Sequence, residues 1–322
     1  MKFLKAFWMG VWGVIFGIRR LWTAKERATA RKKTAALKGA HAQMLLAARR
    51  GDVEAQRQLA ARYAEGDGVE QDYTEAAHWF GQAARRGDAS AQFSFGICYA
   101  NGQGVGQDFE EAAEWFRRSA EQGNVGAQVS LGLCLQKGLG VFQSNEEAVA
   151  WFRRAAESGD AAGQASLASC LQAGRGVPRN DIEAVEWFRK AAAQGLAEAD
   201  FYLGKCYQEG LGVAQDETEG CNHFRKAAEK GLAQAEFHLG LCYYQGRGAA
   251  VDLTAAYVWM SLAARRAIPQ SAELRDEWKK EMSPAQIEAG DRRVAELAPS
   301  RPRAIAEKFE FDEESTVKLP TP

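Results

Sequence analysis

Residues 151–160 read WFRRAAESGD, and close copies stand at 79–88 (WFGQAARRGD), 115–124 (WFRRSAEQGN) and 187–196 (WFRKAAAQGL). The aromatic pair keeps one count through the chain: Trp79-Phe80, Trp115-Phe116, Trp151-Phe152, Trp187-Phe188, His223-Phe224 and Trp259-Met260, each 36 residues from the last without an insertion. A fixed period of this length marks a stacked array. A unit so short cannot bury its apolar face alone, so neighbours must cover one another.

Each unit reads as two helices. The first runs through strings such as SAQFSFGICYANG (90–102) and GAQVSLGLCLQKG (126–138), where Ala91, Phe95, Cys98 and Tyr99 share one helical face. It ends at a G-x-G turn, as at Gly102/Gly104 and Gly210/Gly212, because glycine accepts the left-handed conformation that closes a helix. The second begins at a column of good N-caps: Asp72, Asp108, Ser144, Asn180, Asp216 and Asp252. Glu75, Glu111, Glu147, Glu183 and Glu219 follow three residues later, the spacing of a capping box. In the quoted string, Trp151 and Phe152 are then expected in the core, the Ala pair at a close helix contact, and both Arg in water.

The ends leave the pattern. AQMLLAARRGD (42–52) aligns with a second helix but has Gln43 where Trp should stand, so it reads as a cap on the stack. PQSAELRDEWKKEM (269–282) and SPAQIEAGDRRVAEL (283–297) read as two closing helices, the latter started by Ser283, Pro284 and Gln286.

The fold class is therefore all-α: a solenoid of 36-residue helix-turn-helix repeats. The expected organisation is an N-terminal membrane anchor (1–22) and a basic helix with the N-terminal capping helix (23–51). Six repeats follow (52–87, 88–123, 124–159, 160–195, 196–231, 232–267), then C-terminal capping helices (268–297) and a disordered tail (298–322).

Composition narrows the function. The 322 residues carry a net charge of −1, which argues against a nucleic-acid partner. Five of six Cys (Cys98, Cys134, Cys170, Cys206, Cys242) form one repeat column, and only Cys221 lies outside it. One thiol per unit has no partner within that unit, so these read as small, half-buried apolar residues in a reducing compartment. The four His (His41, His78, His223, His238) show no metal-ligand spacing, and the Gly-rich turns lack the Gly-Lys-Ser/Thr of a phosphate loop. No enzyme activity, cofactor or metal is expected.

The motif A-x-x-x-x-L-G-x-C-Y-x-x-G-x-G-V-x-x-D-x-x-E-A-x-x-W-F-x-x-A-A-x-x-G resembles the Sel-one-like repeat, a longer-turned relative of the tetratricopeptide repeat. The resemblance covers about residues 42–267. It implies a right-handed α-α superhelix whose first helices line a concave surface, and a scaffold that binds proteins or peptides. Some family members bridge a first-helix Cys to a second-helix Cys of the same repeat. The matching second-helix positions here are Ala84, Ala120, Ala156, Ala192, Ala228 and Ala264, so that staple is not expected.

Two first-helix columns vary while their neighbours stay fixed. One holds Gln58, Ser94, Ser130, Ser166, Tyr202 and His238; the other holds Ala61, Ile97, Leu133, Ser169, Lys205 and Leu241. Three residues apart, they share a helix face. The expected peptide-binding residues are Ser94, Ile97, Ser130, Leu133, Ser166, Tyr202, Lys205, His238 and Leu241. An extended or helical peptide would lie along them; plain solvent exposure is the competing reading.

The N-terminal string MKFLKAFWMGVWGVIFGIRRLW has no charge from Ala6 to Ile18. A membrane anchor through residues 3–22 is the favoured reading, against an interfacial helix and an export signal; Trp8, Trp12 and Trp22 suit interfaces. The excess of Lys and Arg after it places the repeats on the cytoplasmic side. The expected function is a non-catalytic adaptor tethered by one N-terminal span. Its alternative is an exported regulator of cell-envelope enzymes. The tail carries an acidic–aromatic patch, FEFDEES (309–315), which reads as a solvated end or a short docking motif.

Overall fold

The computed structural model describes Gly39 and residues 41–298. The expected membrane anchor, most of the basic helix and nearly all of the tail lie outside the described residues. Among those described, the structure is all helical, a repeat solenoid of the expected class. Helix α1 occupies 41–49. The repeats supply pairs of 13-residue helices: α2 (Val53–Glu65) and α3 (Tyr73–Arg85), α4 (Ala89–Asn101) and α5 (Phe109–Glu121), α6 (Val125–Lys137) and α7 (Asn145–Glu157). There follow α8 (Ala161–Ala173) and α9 (Asp181–Ala193), α10 (Ala197–Glu209) and α11 (Glu217–Glu229), α12 (Ala233–Gln245) and α13 (Leu253–Arg265). Helices α14 (Ser271–Trp278) and α15 (Pro284–Leu297) close the described chain. Two compact units meet in sequence between Phe142 and Gln143, so the third repeat is divided between them.

The N-cap column works as its residues dictate. Asp72, Asp108, Ser144, Asn180, Asp216 and Asp252 each accept from backbone N–H groups in the first turn of their helix. The capping box is different. The reciprocal box forms at Ser283, whose backbone N–H donates to Gln286, whereas the Glu column turns away. Glu75, Glu111 and Glu183 instead accept from the indoles of Trp79, Trp115 and Trp187, one turn on, at 3.1–3.3 Å. The reason is a donor already used. The N-cap N–H groups of Asp72, Asp108 and Asn180 donate to the carbonyls of Tyr63, Tyr99 and Leu171 in the preceding helix. With that backbone N–H engaged, the carboxylate takes the indole N–H, and Glu183 also accepts from the side-chain amide of Asn180 at 3.2 Å.

The aromatic pair also divides its labour. Phe116, Phe152, Phe188 and Phe224 are buried to 2% exposure or less, as is Met260. Trp79 and Trp115 are buried in the first unit, but Trp151 and Trp187 are only half-buried in the second. The second cation after the pair does not simply point to water, as expected from the sequence. Arg118, Arg154 and Lys190 lie over the rings of Trp115, Trp151 and Trp187 at 4.6, 4.4 and 3.7 Å, the attraction of a cation for the negative face of an indole.

The turn glycines set the spacing between repeats. Gly212 has φ +69°, and a Cβ there would overlap the Asp181 carbonyl at the start of α9. Only glycine lets the turn of one repeat press on the helix start of the one before it. In the first unit, Ala48 on α1 is buried, and its carbonyl accepts from Gln56 Nε2, so α1 covers α2. In the second, Trp278 stacks on Tyr244 (4.2 Å, 9°), and Gly290 of α15 lies against Tyr257 of α13.

All six Cys are free and fully buried, more deeply than the half-buried positions expected. Burial pushes Cys98, Cys134, Cys170 and Cys206 up to about 11. The column has hydrogen-bond partners one repeat back: Gln172 donates to Cys206 Sγ at 3.2 Å and Gln208 to Cys242 Sγ at 3.3 Å. Cys221, the odd one out, meets Cys242 of the next repeat, and the hydrogen bond between the thiols holds Cys221 below its ordinary value.

Candidate functional site

The two variable columns lie on the first helix of each pair. In the first unit Ser94, Ile97, Ser130 and Leu133 are half-buried. In the second, Tyr202, Lys205, His238 and Leu241 are half-buried, and Ser166 is not available at all, being 2% exposed. Ser166 must therefore be removed from the expected peptide-binding residues: it lies on α8 within a run of buried residues, Gln164, Ala165, Leu167 and Ala168.

The bulky members are also used in packing. Tyr202 stacks on Phe188 (5.1 Å, 14°) and His238 on Phe224 (4.9 Å, 25°). His238 is held down to about 4, first because burial disfavours the imidazolium and then because Lys205 repels it. Leu241 packs against the cluster containing Phe237, Met260 and Trp278. In the second unit the bulky members of these columns are thus shared with the core.

A buried polar column escapes a reading by hydropathy. Gln56, Gln92, Gln128 and Gln164 are 3–6% exposed, and each donates to a carbonyl eight residues back: Ala48, Ala84, Ala120 and Ala156. The side chain is long enough to reach the end of the helix before its own, where it adds a second donor to a carbonyl that already accepts the N–H of Gly51, Gly87, Gly123 or Gly159. The amide oxygens of Gln92 and Gln164 accept from Gln122 and Gln194, which lie 30 residues on. The exact 36-residue recurrence of Gln56, Gln92, Gln128 and Gln164 is a signal in the sequence that could have revealed this joint.

In repeat five the same joint changes chemistry. Asp200 takes the Gln position at 3% exposure and Lys230 the partner position. Asp200 accepts from Lys230 Nζ at 2.8 Å and bonds His223 Nδ1 at 3.0 Å. Burial alone would raise this carboxyl; the hydrogen bonds from His223 and Lys230, with the Lys230 charge, outweigh it and hold it below its ordinary value. His223 stacks on Tyr207 (5.5 Å, 9°), whose hydroxyl accepts from Arg189 at 2.9 Å. A cleft of about 430 Å³ opens beside this cluster, among α9, α10 and α11. Among the described residues no group of His, Cys, Asp and Glu is placed to hold a metal ion, and no helix is long and apolar enough to cross a membrane.

The model of the Sel1 repeat matches residues 53–88, 89–124, 125–160, 161–196, 197–232 and 233–267, and the chain belongs to that family. Its structure is similar to that of a Sel1 repeat protein from Oxalobacter formigenes, with 33% identity and a TM-score of 0.63 over 67% of this chain and 88% of that one. It is also similar to c5321, a protective antigen of uropathogenic Escherichia coli displaying an SLR fold, at 25% identity and a TM-score of 0.41 over 85% of this chain and 86% of that one. Comparison with curated protein sequences finds no match. Sel1 repeat proteins are in general scaffolds for protein interaction and not of the catalytic type.

Proposed function

We propose that this chain is a non-catalytic adaptor that binds a protein or peptide along the variable face of its first helices, tethered to the membrane through residues 3–22 with its repeats facing the cytoplasm. The observation that carries the binding face is the contrast between columns. Positions whose side chains fill the joints repeat almost unchanged, as Phe116, Phe152, Phe188 and Phe224 do. The columns through Ser94 and Ile97 change from repeat to repeat and stay part-open at every described position except Ser166. A position released from packing can follow a partner. The tether rests on the uncharged run Ala6–Ile18 and the basic residues after it. The unpaired state of all six thiols accords with a reducing compartment.

Replacing Ser94 and Ser130 by Arg fills the open face without touching a joint. Cross-linking from membranes followed by mass spectrometry should then lose the native chain's partners; an unchanged partner set removes the face from consideration. Tyr202 and His238 suit this test less, since alanine there also strips a ring from Phe188 or Phe224. The tether is tested by washing membranes with high salt and with carbonate. Retention through both is expected, and complete release by salt rules out an embedded segment. C-terminal reporter fusions read the side on which the repeats lie, and activity only outside would make the chain an exported regulator.

A further inference from the structure

Three recurring columns change at neighbouring positions on α9, α10 and α11. His223 stands where Trp79, Trp115, Trp151, Trp187 and Trp259 stand elsewhere. Ala193 replaces a long charged residue (its counterparts include Arg85, Glu121, Glu157 and Glu229), and Asp200 replaces Gln. The first two changes remove volume from the same place, and the cleft of about 430 Å³ is lined by both positions. Its apolar lining comes from Ala192, Ala193 and Leu203, its cations from Arg189 and Lys226. Lys226 is the counterpart of Arg118, Arg154 and Lys190, each of which lies over the indole of its own helix. In repeat five the indole is missing, and the imidazole in its place stacks on Tyr207. The cleft therefore has the lining of an aromatic site, with the cation in position and the ring absent. Asp200 and Glu229 also line it, but the Asp200 charge is already matched by Lys230.

We propose that this cleft seats the acidic–aromatic segment Phe309–Glu314 of the same chain. One phenyl ring occupies the space of the missing indole, and the flanking carboxylates face Arg189 and Lys226. The segment FEFDEE alternates rings with acids and carries four carboxylates in six residues, the complement of an apolar cleft rimmed by cations. Its position on the chain allows the contact. Helix α15 packs on α13, the second helix of the repeat next to α11, and packed helices lie about 10 Å apart. Eleven residue steps separate Ala298 from Phe309, and an extended chain of that length reaches roughly 36 Å. The contact is independent of the variable face proposed above, so either can fail alone.

Chymotryptic cleavage after Phe309 and Phe311, timed by mass spectrometry on the full chain, tests the proposal. His223→Trp restores the residue of the sister repeats and fills the cleft, and Ala193→Glu does so from α9. In the native chain cleavage should be roughly tenfold slower than in either variant, as expected of a segment held in a docked state. Cleavage within the repeats should not change; His223→Trp also removes the His223–Asp200 bond and lowers the thermal midpoint, whereas Ala193→Glu leaves that bond in place. Neutralising the segment (Glu310→Gln, Asp312→Asn, Glu313→Gln, Glu314→Gln) should speed cleavage equally. A short tether gives an effective concentration of order millimolar, so protection should persist on dilution. Equal rates in the native chain and both variants overturn the proposal. Protection that fades on dilution assigns the occupant to a second copy and overturns the same-chain assignment.

Discussion

The joint at Gln92 and the joint at Asp200 occupy the same backbone positions, three repeats apart, and solve one problem in two ways. Gln92 donates to the Ala84 carbonyl and accepts from Gln122 at 2.7 Å, a neutral join. Asp200 has no N–H to give. It is held by Lys230 at 2.8 Å and His223 at 3.0 Å, an ionic join. The four Gln share the donation to the preceding helix end, while the oxygen is met at Gln92 and Gln164 and not at Gln56 or Gln128, so the acceptor side of this position is free to vary. At Asp200 the neighbouring Trp position and position 193 differ as well, and a cleft opens. A uniform repeat carries the fold, and a local departure from it marks a place with a further use.

The largest expected effect tests what the two joints share. Both rest on a buried phenyl, Phe116 in one and Phe224 in the other. Phe116→Ala and Phe224→Ala should each cost about 3–5 kcal/mol by denaturant unfolding. Trp151→Ala should cost clearly less, because that indole is half-buried. A Trp151 effect as large as that of Phe152→Ala would reverse the assignment of the core.

The next effect is confined to the second unit. His238 is neutral in the folded chain down to about 4, whereas the unfolded imidazole titrates near 6.5. Its folded value is lowered, so above 6.5 it has no influence. As pH falls from about 6.5 to about 4 the unfolded chain takes up a proton that the folded chain refuses. Stability should drop across that window by up to about 3 kcal/mol. His238→Tyr, which copies Tyr202, should flatten the profile; an identical slope would mean the ring is open to water when folded.

The two joints differ next in their response to losing one partner. Lys230→Met strands part of a buried carboxylate and should cost about 2 kcal/mol, allowing for the exposure of the lysine. Gln122→Met removes one neutral bond and should cost about 1 kcal/mol. The ionic join also has its own acid limit. The Asp200 carboxyl is lowered, so its contribution is complete above the ordinary carboxyl value and is lost as pH falls below that through the folded value. The pair Asp200→Gln with Lys230→Gln should remove that loss, and pH-dependent melting reads it directly.

The smallest effect concerns the indole bond. Glu111→Gln should cost about 0.5–1 kcal/mol, equal within error to Trp115→Phe at that bond, with no additivity between them. Additive losses would return Glu111 to a capping role.

Much of this was legible in the residues. The 36-residue count, the N-caps from Asp72 to Asp252 and the closing glycines are local chemistry, decided by hydrogen bonds within one turn, so one strand of text contains them. The recurring Gln56, Gln92, Gln128 and Gln164 were legible too, although a search for apolar faces passes over a buried amide. The variable columns were legible as first-helix positions, but the burial of Ser166 and the stacking of Tyr202 and His238 on phenyl rings were not.

By itself the sequence determined the class of fold, the length of each helix and the residues that start and stop them. Tertiary structure alone decided which donors were already taken. The Asp108 N–H bonds the Tyr99 carbonyl, so Glu111 turns to Trp115. It also decided which departures coincide in space: His223, Ala193 and Asp200 are separated along the chain and meet at one cleft. The physical reason is that a buried group answers to its neighbours in the next repeat, and those neighbours are set by stacking across some 30 residues of chain, not by the turn it belongs to.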